Sequence, residues 1–216
     1  MTIHHLRRNY TFGSLSRSDL PVEPIQLFKD WFAQLHATEL PDWFEVNAMT
    51  LSTSNLAEGV SSRIVLLKHL DDDGFLFFTN YDSAKGHQIA IDPHVAIHFY
   101  WPIFDRQVRI EGKATKTSAE ISNNYFESRP RTSQLGAVVS PQSEIISDDA
   151  QLARDIDELD KKCGGQSIPR PENWGGYKVT PLMMEFWQGK PSRLHDRFRY
   201  QLNEQSGVWT IDRLAP

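Results

Sequence analysis

The chain has 216 residues, 23 of them basic and 28 acidic, and a formal net charge of -5 at pH 7. This acidic balance argues against a general nucleic-acid-binding protein, which usually presents a net basic face. The single cysteine, Cys163, excludes an intramolecular disulfide and favours a reducing compartment, so we expect a cytoplasmic protein. We expect neither a secretory signal nor a membrane span, because residues 1–10 are polar and no apolar run approaches about 18 residues.

The first part of the chain predicts an arm, a helix and then strands. Residues 1–20 are polar and irregular and predict a flexible N-terminal arm, whereas residues 21–216 predict a single domain. Apolar residues at helical spacing follow Pro24, and Pro41 marks the end of that helix. Strands are predicted at 46–51, 63–70 and 75–80, with a hairpin turn at Asp73-Gly74.

The remainder predicts further helices among antiparallel strands. Ser83 is expected to cap a short helix through Ile91. Two more helices are predicted from Ser118 to Arg129 and from Asp148 to Lys162, the second capped by Ser147. Strands are predicted at 94–101, 107–114, 177–180, 184–188, 197–202 and 208–213. Antiparallel strands with helices segregated around them predict an α+β barrel.

Two motifs in the strand region could bind an anion. Arg63 and Lys68 bracket an apolar strand, but positions five apart face opposite sides, so one shared ligand requires a strand edge or a bulge. Lys85 lies at a predicted helix N-terminus, where backbone N–H groups and the helix dipole favour an anion. The alternatives are two solvated charges beside a core strand and an ordinary serine cap at Ser83.

A third motif predicts a phosphate clamp. Tyr125 and Arg129 are four apart on one helical face, and Ser133 follows in the next loop, so two hydroxyls flank a guanidinium. The alternative is a solvent-facing arginine beside a half-buried tyrosine. Uncharged hydrogen-bond partners suited to a heterocycle or a ribityl chain are Gln107, Gln142 and Ser143.

The C-terminal block concentrates positive charge around one histidine. If residues 193–197 are extended, Arg193, His195 and Arg197 project from one face and invite an anionic ligand. A lone histidine is usually structural, but the two arginines give this one a perturbed environment. The chain has no metal-ligand spacing, Walker loop or Gly-x-Gly-x-x-Gly fingerprint, so we predict neither a metal site nor a Rossmann unit.

Together these motifs resemble the pyridoxine (pyridoxamine) 5'-phosphate oxidase family from Leu6 to Pro216. The resemblance implies an antiparallel FMN-binding split β-barrel with surrounding helices, and a homodimer with FMN at the subunit interface. The blocks that carry it are Leu6–Tyr10, Arg63–Lys68, Phe78–Asn80, Ser128–Arg131, Trp174–Gly176, Glu185–Gly189, Arg193–Arg197 and Trp209–Pro216.

The resemblance also assigns roles to individual residues. FMN contacts fall to Arg63, Ile64, Val65, Leu66, Leu67, Lys68, Phe78, Thr79, Lys85, Gln107, Gln142, Ser143, Trp187 and Arg197. Substrate contacts fall to Arg7, Tyr10, Lys68, Tyr125, Arg129, Ser133, Arg193 and His195, of which Arg193 and His195 are the predicted catalytic residues. The arm would act as a lid. Ala84 departs from the second basic residue that members often carry there, which puts the grip on the FMN phosphate in doubt.

The implied reaction is an FMN-dependent oxidation of pyridoxamine or pyridoxine 5'-phosphate to pyridoxal 5'-phosphate, with O2 reduced to H2O2. The flavin supplies the redox chemistry, and the protein positions two rings and neutralises two phosphates. Two alternatives stay open: a related split-barrel oxidase acting on another reduced ring, as in phenazine biosynthesis, and a non-catalytic carrier of flavin or pyridoxal phosphate.

Overall fold

The computed structural model describes residues 1–5, 8–57, 59–148 and 150–216. Its strands are β1 Ala48–Asn55, β2 Gly59–Leu66, β3 His69–Asp71, β4 Gly74–Asn80, β5 His94–Trp101, β6 Arg106–Lys116, β7 Trp174–Gln188, β8 Asp196–Asn203 and β9 Val208–Arg213. Its α-helices are α1 Pro24–His36, α2 Ala84–Ile91, α3 Ala119–Ser128, α4 Arg131–Val139 and α5 Gln151–Cys163. No helix within these ranges is long and apolar enough to cross a membrane.

The strands form one antiparallel sheet that divides at β7. The order is β2-β1-β5-β6-β7-β4-β3, and β8 pairs with β7 and then with β9. One side of β7 pairs with β6; on its other side the first half pairs with β4 and the second half with β8. The predicted α+β class with an antiparallel barrel-type sheet is confirmed.

Helix α1 closes the core of the barrel. Its apolar face buries Phe28, whose ring contacts Phe75 and Phe99 with centroid distances of 5.0 and 4.9 Å. Trp31 meets Phe186 of β7 edge-on at 5.3 Å. Because these rings come from one helix and three strands, the core holds the helix against the sheet.

Several predicted boundaries were wrong for local reasons. The run 63–70 is not one strand, since β2 ends at Leu66 and β3 begins at His69. The strands predicted at 177–180 and 184–188 are one strand, β7, which carries Pro181 opposite a register shift at Glu111/Gly112.

Two helical predictions also need correction. Ser133 lies in α4, not in a loop, because a helix begins directly after Pro130. Helix α5 begins at Gln151, not Asp148, and its N-cap is Ala150, not Ser147.

The N-terminal arm contacts the barrel from Arg8 onward, where the Arg8 side chain donates to the Pro102 carbonyl at 2.8 Å. The N–H groups of Thr11 and Phe12 donate to the Asp105 carboxylate at 3.0 and 3.3 Å. The N–H of Leu15 donates to Asp196 at 3.1 Å, and the Leu15 side chain is buried in the core. The arm thus reaches the site in a fixed position, although its role as a lid stays a prediction.

Candidate active site

A cavity of about 670 Å3 lies where β2, β4, α2, α3 and α4 converge. Strand β2 lies at one end of the strand order, and it stops at Leu66, two residues before Lys68. Arg63 and Lys68 therefore both line the cavity, although residues five apart on a regular strand face opposite sides. The side chain of Leu67, a residue assigned to FMN by resemblance, packs in the hydrophobic core, and Leu67 is not among the residues that line this cavity. The cavity is lined by Arg63, Ile64, Val65, Leu66, Lys68, Phe78, Thr79, Ala84, Lys85, Tyr125, Arg129, Pro130, Ser133, Gln142, Ser143 and Trp174.

Lys85 is a buried cation whose hydrogen-bond partners among the described residues are all neutral. It is 8% exposed, and its Nζ donates to Thr79, Ser83 and Gln142 at 3.1, 3.1 and 2.8 Å. Burial, and then the Arg63 charge, lower the pKa of Lys85 to about 8. A cation under this desolvation gains most from an anion that enters the cavity.

Arg63 likewise lacks a carboxylate partner among the described residues. Its guanidinium donates to the hydroxyls of Thr53 and Ser61, both at 2.6 Å, and desolvation lowers its pKa. In the part of the chain that the structure describes, no carboxylate lines the cavity at all. This excess of positive charge fits a phosphate.

A stack of aromatic rings forms one wall. The Phe78 ring centroid lies 3.9 Å from that of Tyr125 and 5.6 Å from that of Trp174, the Tyr125 and Trp174 centroids are 6.1 Å apart, and the three ring planes are nearly parallel. The Arg129 guanidinium lies 4.7 Å from the Trp174 ring centroid. Such a wall is apolar on its faces and offers the Tyr125 hydroxyl and the Arg129 cation at one end.

Arg129 is placed by the junction of two helices. It is the C-cap of α3, and the Gln134 amide of α4 donates to the carbonyls of Phe126 and Arg129 at 3.1 and 3.0 Å. Desolvation lowers the pKa of Arg129, and its buried Nη1 has no hydrogen-bond partner among the described residues. An orphaned guanidinium N–H beside Ser133 is the arrangement that a phosphate oxygen would satisfy.

A second cavity, of about 480 Å3, lies under the N-terminal arm. It is lined by Arg8, Asn9, Tyr10, Trp187, Lys190, Pro191, Ser192, Arg193 and His195. The Tyr10 ring meets Trp187 and His195 edge-on at 5.4 and 5.5 Å. Arg7, the other predicted arm contact, lies outside the described residues.

His195 is held as a neutral imidazole with a defined tautomer. Its Nδ1 accepts the Lys190 N–H at 3.1 Å, so the neutral ring carries its proton on Nε2. Desolvation, and then the charges of Arg193 and Arg197, lower the pKa of His195. His195 therefore presents an N–H donor at neutral pH.

The extended C-terminal block that would place three side chains on one face is not observed. Ser192 and Arg193 have φ of 58° and 61° inside a 3-10 helix, Pro191–Arg193, and β8 begins only at Asp196. Arg193 and His195 line the second cavity, whereas Arg197 lines a third. The third, of about 190 Å3, is formed by His98, Gln107, Arg109, Glu185, Trp187 and Arg197.

The predicted site residues therefore fall into two groups within one chain. The residues predicted to bind phosphates line the first cavity. The other two cavities share Trp187, and the predicted residues that line them are Tyr10, Gln107, Trp187, Arg193, His195 and Arg197. Sequence reasoning gave no role to Trp174, Asp105 or Glu185. Trp174 and Glu185 each lie in a block shared with the family, but nothing in the sequence marks the carboxylates of Asp105 and Glu185 as buried and paired to arginines.

Comparison with known proteins agrees with this geometry. Residues 37–163 match the family model described as pyridoxamine 5'-phosphate oxidase, and residues 174–216 match the pyridoxine 5'-phosphate oxidase C-terminal dimerisation region. The pyridoxine/pyridoxamine 5'-phosphate oxidase of Rhodopirellula baltica is 48% identical, over 98% of this chain and 95% of its own length. That of Pseudomonas paraeruginosa is 49% identical, over 98% and 97%.

Solved structures show the same fold. PhzG from Burkholderia lata, in complex with tetrahydrophenazine-1-carboxylic acid, matches with a TM-score of 0.85 at 29% identity, over 92% of this chain and 95% of that one. An FMN-binding protein from Nostoc punctiforme, related to pyridoxamine 5'-phosphate oxidase, matches at 0.69 with 16% identity, over 91% and 100%, and supports the fold alone. The chain therefore belongs to the FMN-dependent pyridoxine/pyridoxamine 5'-phosphate oxidase family, as its motifs predicted.

Proposed function

We propose that this protein oxidises pyridoxamine 5'-phosphate or pyridoxine 5'-phosphate to pyridoxal 5'-phosphate with FMN as cofactor and O2 as electron acceptor, which forms H2O2. The observation that carries the proposal is the carboxylate-free cavity of about 670 Å3, in which separate cations are placed for anions. Lys85 and Arg63 lie at one part of it, and Arg129 projects from the α3–α4 junction. Two separate clamps suit two phosphorylated ligands in one site.

The residues present fit FMN. Lys85 and Arg63 would hold its phosphate, and Thr79, Gln142 and Ser143 offer uncharged partners for the ribityl chain. Ala84 lines the cavity without adding a charge, so the buried Lys85 carries more of the phosphate binding. FMN bound there would supply the redox chemistry, with a hydride equivalent leaving the substrate carbon and the electron pair returned to O2; with the amine substrate, water would then release ammonia as the aldehyde forms.

The substrate would be held by its phosphate and oriented by its ring. Tyr125, Arg129, Ser133 and Lys68 form the phosphate clamp in the first cavity. Arg193 and His195 would orient the ring, and the Nε2–H of His195 donates a hydrogen bond without adding charge. Tyr10 covers the same cavity from the arm, which excludes water from the reacting atoms.

The two groups of residues are proposed to meet across a homodimer. Trp187, Arg193, His195 and Arg197 all belong to residues 174–216, the part of the chain that matches the family's dimerisation region. The first cavity is lined almost entirely from residues before 174. A second copy would therefore supply the ring-orienting half of each site.

The test uses purified protein, its visible spectrum and oxygen uptake with pyridoxamine 5'-phosphate. Yellow protein that consumes oxygen and forms an aldehyde supports the proposal. Protein that stays colourless with added FMN contradicts it. The Arg193→Leu variant should lose turnover and keep FMN, and unchanged turnover would remove Arg193 from its assigned role.

A second candidate is oxidation of a reduced phenazine-type ring, favoured by the likeness to PhzG at a TM-score of 0.85. The Arg129 clamp favours a phosphorylated substrate, so activity with a phenazine precursor and none with pyridoxamine 5'-phosphate would select this alternative. Bound FMN with no oxygen uptake on either substrate would instead indicate a carrier.

A further inference from the structure

A buried carboxylate joins two arginines across neighbouring strands in the wall of the third cavity. Glu185 of β7 is 5% exposed, and its Oε1 accepts from Nε and Nη2 of Arg197, both at 2.7 Å. Its other oxygen, Oε2, lies 3.0 Å from Nη2 of Arg109. The carboxylate thus fixes the Arg197 guanidinium from one side.

The C-terminal segment fixes Arg197 from a second direction. Nη1 of Arg197 donates to the Ala215 carbonyl at 3.0 Å, and the Arg197 carbonyl accepts the Leu214 N–H at 2.9 Å. Each of the three guanidinium nitrogens therefore has a protein partner. Arg197 also lines a cavity to which Gln107 and Trp187 contribute.

A buried ion pair of this kind is weak evidence for stability. Removing two charges from water offsets much of their attraction, and apolar residues of similar volume often replace such a pair without loss of stability. A rigid guanidinium, by contrast, binds a planar ligand with less loss of conformational entropy. The network is therefore better explained by placement of Arg197 than by folding.

We propose that Glu185 is a positioning residue that fixes the Arg197 guanidinium for FMN. The inference rests on the proposed contact between Arg197 and the cofactor. Glu185 itself does not touch FMN; it sets the orientation and the charge of the arginine that does. Loss of its carboxylate should let Arg197 rotate among rotamers and weaken FMN binding.

The test is FMN titration of the FMN-free protein, followed by flavin fluorescence. Glu185→Gln should raise the Kd for FMN about tenfold, the usual scale for losing a hydrogen bond to a charged group. In an Arg197→Gln background the same change should alter the Kd by less than about twofold, because the residue through which Glu185 acts is gone. An unchanged Kd in the single variant, or fully additive effects in the double variant, would overturn the inference.

Two further variants separate positioning from a structural role. Asp212→Asn is the matched control. Asp212 of β9 pairs at 2.9 Å with Arg199, which lies on β8 as Arg197 does, and Asp212 lines none of these three cavities. It should leave the Kd within about twofold. Glu185→Met carries the same test should the glutamine variant fail to fold. A lower unfolding temperature with an unchanged FMN Kd would mean a structural role only, whereas unchanged FMN binding in Arg197→Gln would contradict the Arg197 assignment itself.

Discussion

The lowered pKa of Lys85 predicts an alkaline limit to FMN binding. In the FMN-free protein this pKa is about 8, so at pH 9.5 only about 3% of Lys85 side chains stay charged. A bound phosphate should return the pKa towards the ordinary lysine value of 10.5, so binding takes up a proton at alkaline pH. The Kd for FMN should then rise about 25- to 30-fold between pH 7 and pH 9.5.

Lys85→Arg is the matched variant for this prediction. An arginine keeps its charge throughout this pH range, so the rise in Kd should largely disappear while binding at pH 7 is retained or moderately weakened. Lys85→Met should bind weakly at every pH. The measurement is flavin fluorescence at constant ionic strength across the range. Equal pH dependence in the wild type and Lys85→Arg would refute the reasoning, because the titrating group would then lie elsewhere.

Three further predictions concern the substrate side of the site. Arg129→Met should lower kcat/KM for pyridoxamine 5'-phosphate about 10- to 100-fold with FMN still bound, measured by oxygen uptake and the flavin spectrum. Because the pKa of His195 lies below the ordinary 6.5, kcat/KM should hold as pH falls through that value and decline only at lower pH, and His195→Gln should remove that decline. In the Asp105→Asn variant, asparagine can adopt the left-handed backbone conformation of Asp105, but the ion pair with Arg8 is lost. The arm should then leave the barrel more often, and trypsin should cleave at Arg8 about two- to fivefold faster.

Helices whose ends are marked by a capping residue or a proline could be predicted from the sequence. The helix cap predicted at Ser83 and the helix start predicted at Ser118 are confirmed, since the two hydroxyls accept from the N–H groups of Gly86 and Ile121. Helix α4 was missed because its sequence begins with polar residues and buries only Leu135, which leaves no apolar stripe to detect.

Predictions of strand ends were wrong where the apolar composition of a segment disagrees with the way its strands pair. The apolar run from Arg63 onward hides the end of β2 at Leu66, because Leu67 and Leu70 continue the apolar pattern from β2 into β3. Residues 177–180 and 184–188 were predicted as separate strands, yet the long β7 runs through Pro181 at a register shift in its pairing with β6. The ends of these strands depend on the strands with which they pair, and those strands lie far away in the sequence.

The site could be predicted as a set of residues but not as a geometry. Lys85, Arg129 and Arg63 were each identified by charge and context, and the fold brings them to one cavity. The alternation expected at Arg193 and His195 failed because positive φ angles at Ser192 and Arg193 turn the chain before β8. Alternate residues can be assigned to one face of a segment only where its backbone is regularly extended.

The distribution of carboxylates explains why the two groups of cations differ. Within the part of the chain that the structure describes, the hydrogen-bond partners of Lys85 and Arg63 are neutral, so the charge of both side chains remains available to a phosphate that arrives with the ligand. Arg197 is instead held by the buried Glu185, so much of its charge is already balanced and its orientation is fixed. A phosphate supplies its own charge and tolerates some freedom in its partner, whereas a planar ring gains from a cation of defined direction. On this argument, a carboxylate partner would weaken the binding of a phosphate by Lys85 and Arg63, whereas the carboxylate of Glu185 helps Arg197 by fixing the orientation of its guanidinium.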